Sequence, residues 1–309
     1  MTMKISTSFL FDRATERMSA LQSRLAKTQA QLSVSKQIIS PSDAPDKAAA
    51  IDRLRGELAR QSGHSGVLKV ALNRFTAEET ALRASSDTIT RIKELAIQAS
   101  NDTLSPSDRK VIATELRELR NQLVSLGNTR DDSGNYVFSG TQVSTQAFAF
   151  DSEGKVSYQG DQTLTRVPAG VERSVLYTRS GTDVFKRVVR EDASGERTSV
   201  SFFDSLENLI DAAENSELAG IRQGVSEADQ MLSNVSQAVA QCGSDQQVVQ
   251  SQLDVLDQTT LRLKTTLSSI EDLDYTEAVA RVNKEMTALQ AAMASFGKIA
   301  SLSLFDHLR

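Results

Sequence analysis

A chain of 309 residues with 39% apolar residues, no Trp, four Tyr and two His can hold one large domain or two modest ones, but has too few aromatics for a thick mixed core. Its net charge of −5 is spread along the chain without a block of like charges, so polybasic attachment to nucleic acid or membrane has no support. The single Cys242 excludes an internal disulfide, and no CxxC or Cys/His cluster offers zinc ligands.

The N-terminus, MTMKISTSFLFDR, has no apolar core of signal-peptide length, and no apolar stretch is long enough to span a bilayer. The sequence therefore predicts a soluble chain that leaves the cytoplasm, if it does, by a route that reads no standard signal peptide. Phe11, Ala14, Met18, Leu21, Leu25, Thr28 and Leu32 then recur at alternating spacings of three and four, the a and d positions of a helical seam. IISPSDAPDK interrupts that seam. The tetrapeptide SPSD at Ser40–Asp43 returns at Ser105–Asp108, and each copy predicts a reversal between long helices.

In the second copy Ser105 is suited to cap a helix. Pro106 takes the first helical position, where no N–H is needed, and Asp108 the third, facing the positive end of the dipole. The first copy cannot be read identically. A cap at Ser40 would put Pro45 fifth, where its N–H is needed, so the expected start is near Ser42 or Asp43 with Pro45 inside the first turn. Between the copies the seam continues through Ile51, Leu54, Leu58, Leu68, Leu72, Phe75, Leu82 and Ile89, diluted by Gln61, Ser65, Glu79 and Ser86. A helix from Ser42 to Ser100 would be about 85 Å long at 1.5 Å per residue.

Ile112, Leu116, Leu119, Leu123 and Leu126 repeat the spacing after the second copy. From about Asn128 to Phe202 the pattern changes to short alternating runs broken by Gly. AFAFDSEGKVSYQ and EDASGERTSVSF read as hairpins, and VPAGV as a turn. TRDDSGN, with Asp131 and Asp132, reads as a turn rather than a metal loop, because the EF-hand spacing and its closing Glu are missing. Helix resumes at FDSLENLIDAAEN, with Asp204 and Glu207 as the expected cap pair. Sixteen positions from Leu218 to Ile270 then hold one register in which Gln246 and Thr260 are the polar members. The phase does not slip at Gly243, so a single helix is predicted with a weak spot of about 1 kcal/mol relative to Ala. Asp274 and Glu277 start a last helix striped by Tyr275, Val279, Val282, Met286, Leu289, Met293, Phe296 and Ala300.

The expected fold is mainly α with an inserted small β domain: an elongated antiparallel helical bundle or coiled coil built from both termini. Its expected divisions are an assembly helix at 1–40, bundle segments at 41–130 and 203–273, a β-rich outer domain at 131–202, and a second assembly helix at 274–309. Catalytic signals are absent: no phosphate-binding loop, no HExxH and no GxSxG, and nothing pairs His64 or His307 with a nucleophile. Cys242 on the apolar stripe reads as a small buried hydrophobe. No catalytic, cofactor-binding or metal residue is assigned. Both chain ends, ISTSFLF and FGKIASLSLFDHLR, are apolar where ends are usually polar and frayed, which predicts burial in another subunit. The assembly residues assigned are Met18, Leu21, Leu25 and Leu32, with Met286, Leu289, Met293, Phe296, Leu304 and Phe305.

MKISTSFLFDR, IISPSDAPDKAAAIDRL, the long run from ASNDT to FSGT, and DLDYTEAVARVNKEMTALQAAMASFGKIASLSLFDHL together resemble the flagellin family. The resemblance covers both helical ends, well over half of the chain, and is poor in the β insert. It implies a flagellin-like fold and a non-enzymatic structural adaptor joining the flagellar hook to the filament, without cofactors. It also implies export through the flagellar type III apparatus after a transient cytoplasmic stage. A cytoplasmic export chaperone would bind the last helix at Val279, Val282, Met286, Leu289, Met293 and Phe296. Outside the cell, copies would form a ring at the hook–filament junction, touching a neighbouring hook-associated protein on the hook side and another on the filament side. Nucleic acid and membrane insertion are not implied. A filament subunit and a secreted coiled-coil binding module are the alternatives.

Overall fold

The computed structural model describes residues 2–169, 174–191 and 197–305, and for residues 2–8, 10, 191 and 299–305 it describes the backbone alone. The fold is mainly α. The long helices are α1 (Thr2–Val34), α2 (Pro45–Ala99), α3 (Pro106–Gly127), α6 (Leu218–Glu271) and α7 (Tyr275–Phe305), with shorter α4 (Gly181–Val184) and α5 (Phe202–Glu214). Six short strands pair as antiparallel hairpins: β1 (Phe148–Phe150) with β2 (Val156–Tyr158), β3 (Arg166–Pro168) with β4 (Ser174–Leu176), and β5 (Val188–Glu191) with β6 (Arg197–Val200). The chain forms two compact units. A terminal unit holds Met1–Ser62 and Gln258–Arg309, and a middle unit holds Gly63–Asp257. These divisions fall inside α2 and α6, whereas the divisions expected from the sequence at 40/41 and 273/274 fall at helix ends.

The second SPSD behaves as its chemistry dictates. Ser105 is extended, its hydroxyl accepts from the Asp108 N–H at 3.2 Å, and Pro106 opens α3. The first SPSD solves the Pro45 problem in a way the sequence reading did not foresee. Pro41–Asp43 form one 3-10 turn, Ala44 breaks it at φ −156°, and Pro45 is the first residue of α2. Its missing N–H thus falls where none is needed. The Asp43 carboxylate ties the turn down, accepting from the Ile39 and Ser40 N–H groups at 3.1 and 3.0 Å. Asp274 accepts from the Glu277 N–H at 3.1 Å and caps α7. At α5 the expected cap pair is corrected: Ser201 is the cap, accepting from the Asp204 N–H at 3.1 Å, and Glu207 ion-pairs with Arg120 of α3. Helix α6 passes through Gly243 unbroken.

The hairpin of β1 and β2 turns on Asp151–Lys155, and TRDDSGN forms the same loop. In each, an aspartate Oδ1 accepts from the backbone N–H groups two and four residues on, and a glycine at φ +81° completes the turn. VPAGV contributes Val167 and Pro168 to β3, and its last two residues lie outside the described residues.

One apolar core runs through the middle unit. Phe75, Leu82 and Ile89 of α2 meet Leu116 and Leu123 of α3, Leu206 and Leu209 of α5, and Val235 and Val249 of α6. Phe138, Phe148, Phe185, Phe202 and Phe203 close it with ring centroids 5.1–6.1 Å apart. Glycine permits a close approach of α5 and α6: a Cβ on Gly224 would lie 2.6 Å from Leu209 Cδ1. Buried arginines fasten the β-rich stretch to the helices. The Arg74 guanidinium donates to the carbonyls of Tyr177 and Val137 at 3.1 and 2.8 Å and pairs with Asp131 at 3.2 Å. Arg179 bridges Glu78 of α2 and Asp245 of α6, the latter at 3.1 Å.

Candidate assembly interface

The sequence-assigned interface lies on α1 and α7, which pack along each other inside the terminal unit. The α1 stripe is as expected. Phe11, Met18, Leu21, Leu25 and Leu32 are half-buried and Thr28 is buried, all on one face. The Phe11 and Phe296 rings meet edge to face at 5.2 Å. Thr28 donates to the Glu285 carboxylate at 3.0 Å.

Helix α7 is rotated from the expected stripe. Its covered positions are Ala278, Val282, Glu285, Leu289, Ala292 and Phe296, again at four-three spacing. Val282, Leu289 and Phe296 are shared with the sequence reading. Met286 and Met293 are not covered: they are 43% and 55% exposed, and Tyr275 is 64% exposed. Val279 is half-buried. Leu304 and Phe305 close the α7 backbone, but their side chains lie outside the described residues. The rotation has a physical reason. Ala278 and Ala292 are small enough to bring two helices close, and Glu285 finds the Thr28 hydroxyl. Sequence spacing alone picked the larger apolar residues one position on. The signal that could have separated the two readings is the width of the arc. Alanine, valine, methionine and phenylalanine together cover more of α7 than one helix partner can bury.

His64 is exposed, and His307 lies outside the described residues. Cys242 is fully buried, its thiol donates to the Phe75 carbonyl at 3.4 Å, and desolvation pushes its pKa upward. Burial pushes the Glu78 carboxyl upward against the pull of Arg179. A cleft of about 450 Å³ beside Phe148, Tyr158 and Phe203 has no His or Cys in its lining. Among the described residues no group of His, Cys, Asp and Glu can hold a metal ion, and no helix is long and apolar enough to cross a membrane.

The N-terminal helical region of bacterial flagellin matches residues 5–143, and the C-terminal helical region of bacterial flagellin matches residues 225–308. The chain belongs to the flagellin family. It is a structural flagellar protein of that family rather than an enzyme. It is 26% identical to flagellar hook-associated protein 3 of Escherichia coli (strain K12), across 98% of this chain and 99% of that one. The fold is similar to the crystal structure of Xanthomonas campestris FlgL, with a TM-score of 0.62 at 23% identity over 71% of this chain and 99% of that chain. It is also similar to flagellar hook associated protein-3 from Legionella pneumophila, with a TM-score of 0.64 at 17% identity over 71% and 98%.

Proposed function

We propose that this chain is an adaptor of the bacterial flagellum that joins the hook to the filament, seated outside the cell at their junction. Similarity across nearly the whole chain to a hook-associated protein supports the location. The assembly reading is carried by the half-finished arc on α7, closed along one edge by α1 and open along the edge that carries Met286 and Met293. Copies of the chain assemble into a ring through these terminal helices. The same helices meet a neighbouring hook-associated protein on the hook side and another on the filament side. Covering an exposed Met or completing a half-buried Leu contributes up to about 1.5–3 kcal/mol per side chain, so association supplies what one chain lacks. Before export, a cytoplasmic flagellar chaperone covers Val279, Val282, Met286, Leu289, Met293 and Phe296. The flagellar type III apparatus then carries the chain out.

The test is Leu289→Asp, expressed in cells whose own copy of the gene is deleted. The expected result is a folded protein that no longer joins the junction, hooks without filaments, and no swimming. Normal filaments in that strain would overturn the reading.

A further inference from the structure

Helix α1 leads into α2, and α6 into α7, through two connections that run side by side: residues 35–44 and residues 272–274. Backbone bonds hold the connections together. The Gln37 N–H donates to the Glu271 carbonyl at 2.9 Å, and the Leu273 N–H donates to the Ser35 carbonyl at 3.1 Å. The Gln37 side-chain amide donates to the Ile270 carbonyl at 2.8 Å. Ser35 sits at φ +57°, a conformation that only tight tethering makes worthwhile for a residue with a Cβ. Glu271, the last residue of α6, lies at the centre and is 4% exposed. A single carboxylate oxygen, Oε1, meets both Lys36 of the first connection and, at 2.6 Å, Arg55 of α2.

We propose that Glu271 is a positioning residue, a latch that fixes the direction in which the α1–α7 pair leaves α2 and α6. Exposed ion pairs contribute little, and Lys36 and Arg55 are each about half exposed. The carboxylate between them is not exposed, so losing either cation leaves a buried charge with fewer partners. The latch therefore acts on geometry: it joins the end of one helix, the start of another and the strap between them at one atom. The proposal rests on the reading of α1 and α7 as the assembly element, since a junction needs that element presented at a set angle.

The experiment uses the full chain with spin labels at Asp52→Cys on α2 and Lys284→Cys on α7, two exposed positions. Cys242 is buried and out of reach of the label. Distances between the labels are measured by pulsed electron resonance, and helix content by circular dichroism. Glu271→Gln is expected to broaden the distance distribution and to leave helix content unchanged. Lys36→Ala is expected to broaden it as well, and the double variant no further than Glu271→Gln alone, because both act through one contact. An unchanged distribution, additive broadening, or a loss of helix content that accounts for the broadening would each overturn the latch. Failure of the assembly reading is a separate observation: normal filaments from Leu289→Asp leave these distances as they are.

Discussion

Helices α2 and α6 run through both the middle unit and the terminal unit, yet only one of the units encloses an extended apolar core. In the middle unit, residues from Leu68 to Leu256 form one continuous buried cluster, with Phe75, Leu82, Leu123 and Val235 fully covered. In the terminal unit, the buried apolar side chains among the described residues are Ile51 and Ala278, and the α1–α7 seam is otherwise half-buried. Three or four helical layers can enclose side chains, whereas a pair of helices covers one face of each partner. The difference teaches where stability resides and where association has room to act. The core of the middle unit is covered by its own chain, whereas the apolar arc of α7 leaves Met286 and Met293 exposed.

The sharpest way to break this comparison is to damage both units alike. Phe75→Ala is expected to lower unfolding stability by about 3–5 kcal/mol in denaturant titration, and Leu289→Ala in the monomer by less than about 1 kcal/mol. Equal losses would mean that the two units are equally finished. Arg179→Met probes the same core through its charges. It strands Glu78 and Asp245 in the interior and is expected to cost about 3–5 kcal/mol at neutral pH. The sign of the pH dependence follows from Glu78, whose pKa burial already raises. A carboxyl with a raised folded pKa takes up a proton on folding, so its favourable contribution is present at low pH and is lost as pH rises through the folded value. The deficit of Arg179→Met should therefore shrink on acidification toward the carboxylate range. A deficit that grows there would remove the argument.

Local chemistry was legible in the sequence, and rotation was not. Ser105, Pro106 and Asp108 act within four residues, so the α3 cap could be read from residue types. The register of α6 through Gly243 and the Asp151–Lys155 hairpin are equally local. Ser201 was missed because two acidic residues downstream also look like a cap, and the choice depends on where the chain leaves β6. The 3-10 turn at Pro41–Asp43 was missed because a break at Ala44 is a backbone event with no residue signature. Arg74 and Arg179 were invisible because their partners lie 57 to 103 positions away. On α7, spacing located a seam but not which shoulder faces α1. Ala278 and Ala292 settle that by size, and a reading by hydrophobicity ranks them below Val279 and Met293.

Glycines sharpen the comparison at a smaller scale. Gly224 sits where α5 and α6 nearly touch, so Gly224→Ala is expected to destabilise the middle unit by about 1–3 kcal/mol through overpacking. A Cβ on Gly56, in the terminal unit, would meet nothing within 4 Å. Gly56→Ala should accordingly stabilise helix α2 by about 1 kcal/mol, the difference in helix propensity. Thermal melts of the two variants should move in opposite directions. If Gly56→Ala also lowers the melting temperature, the terminal unit is more tightly packed than its exposed residues indicate.

The smallest expected effect concerns Asp43, in the connection beside the latch. A side-chain bond from Lys27, at 2.7 Å, and the N–H groups of Ser40 and Ile39 hold its pKa down to about 2. A carboxylate whose folded pKa is depressed contributes stability above its unfolded pKa, near 3.8, and loses that contribution as pH falls through about 2. Protonation weakens the acceptor that both N–H groups share and removes the charge that pairs with Lys27, so the 3-10 turn should loosen while the middle unit, whose core does not involve Asp43, stays closed. Amide exchange between pH 4 and pH 2 can separate the two. After correction for the intrinsic rate, the Ile39 and Ser40 amides should lose protection before those of Leu82 or Leu123. Asp43→Asn should show that lower protection at every pH, because the amide keeps one acceptor oxygen but not the charge. Simultaneous loss of protection in both units would mean that they open as one body, and the contrast between a finished core and an unfinished pair of helices would no longer describe this chain.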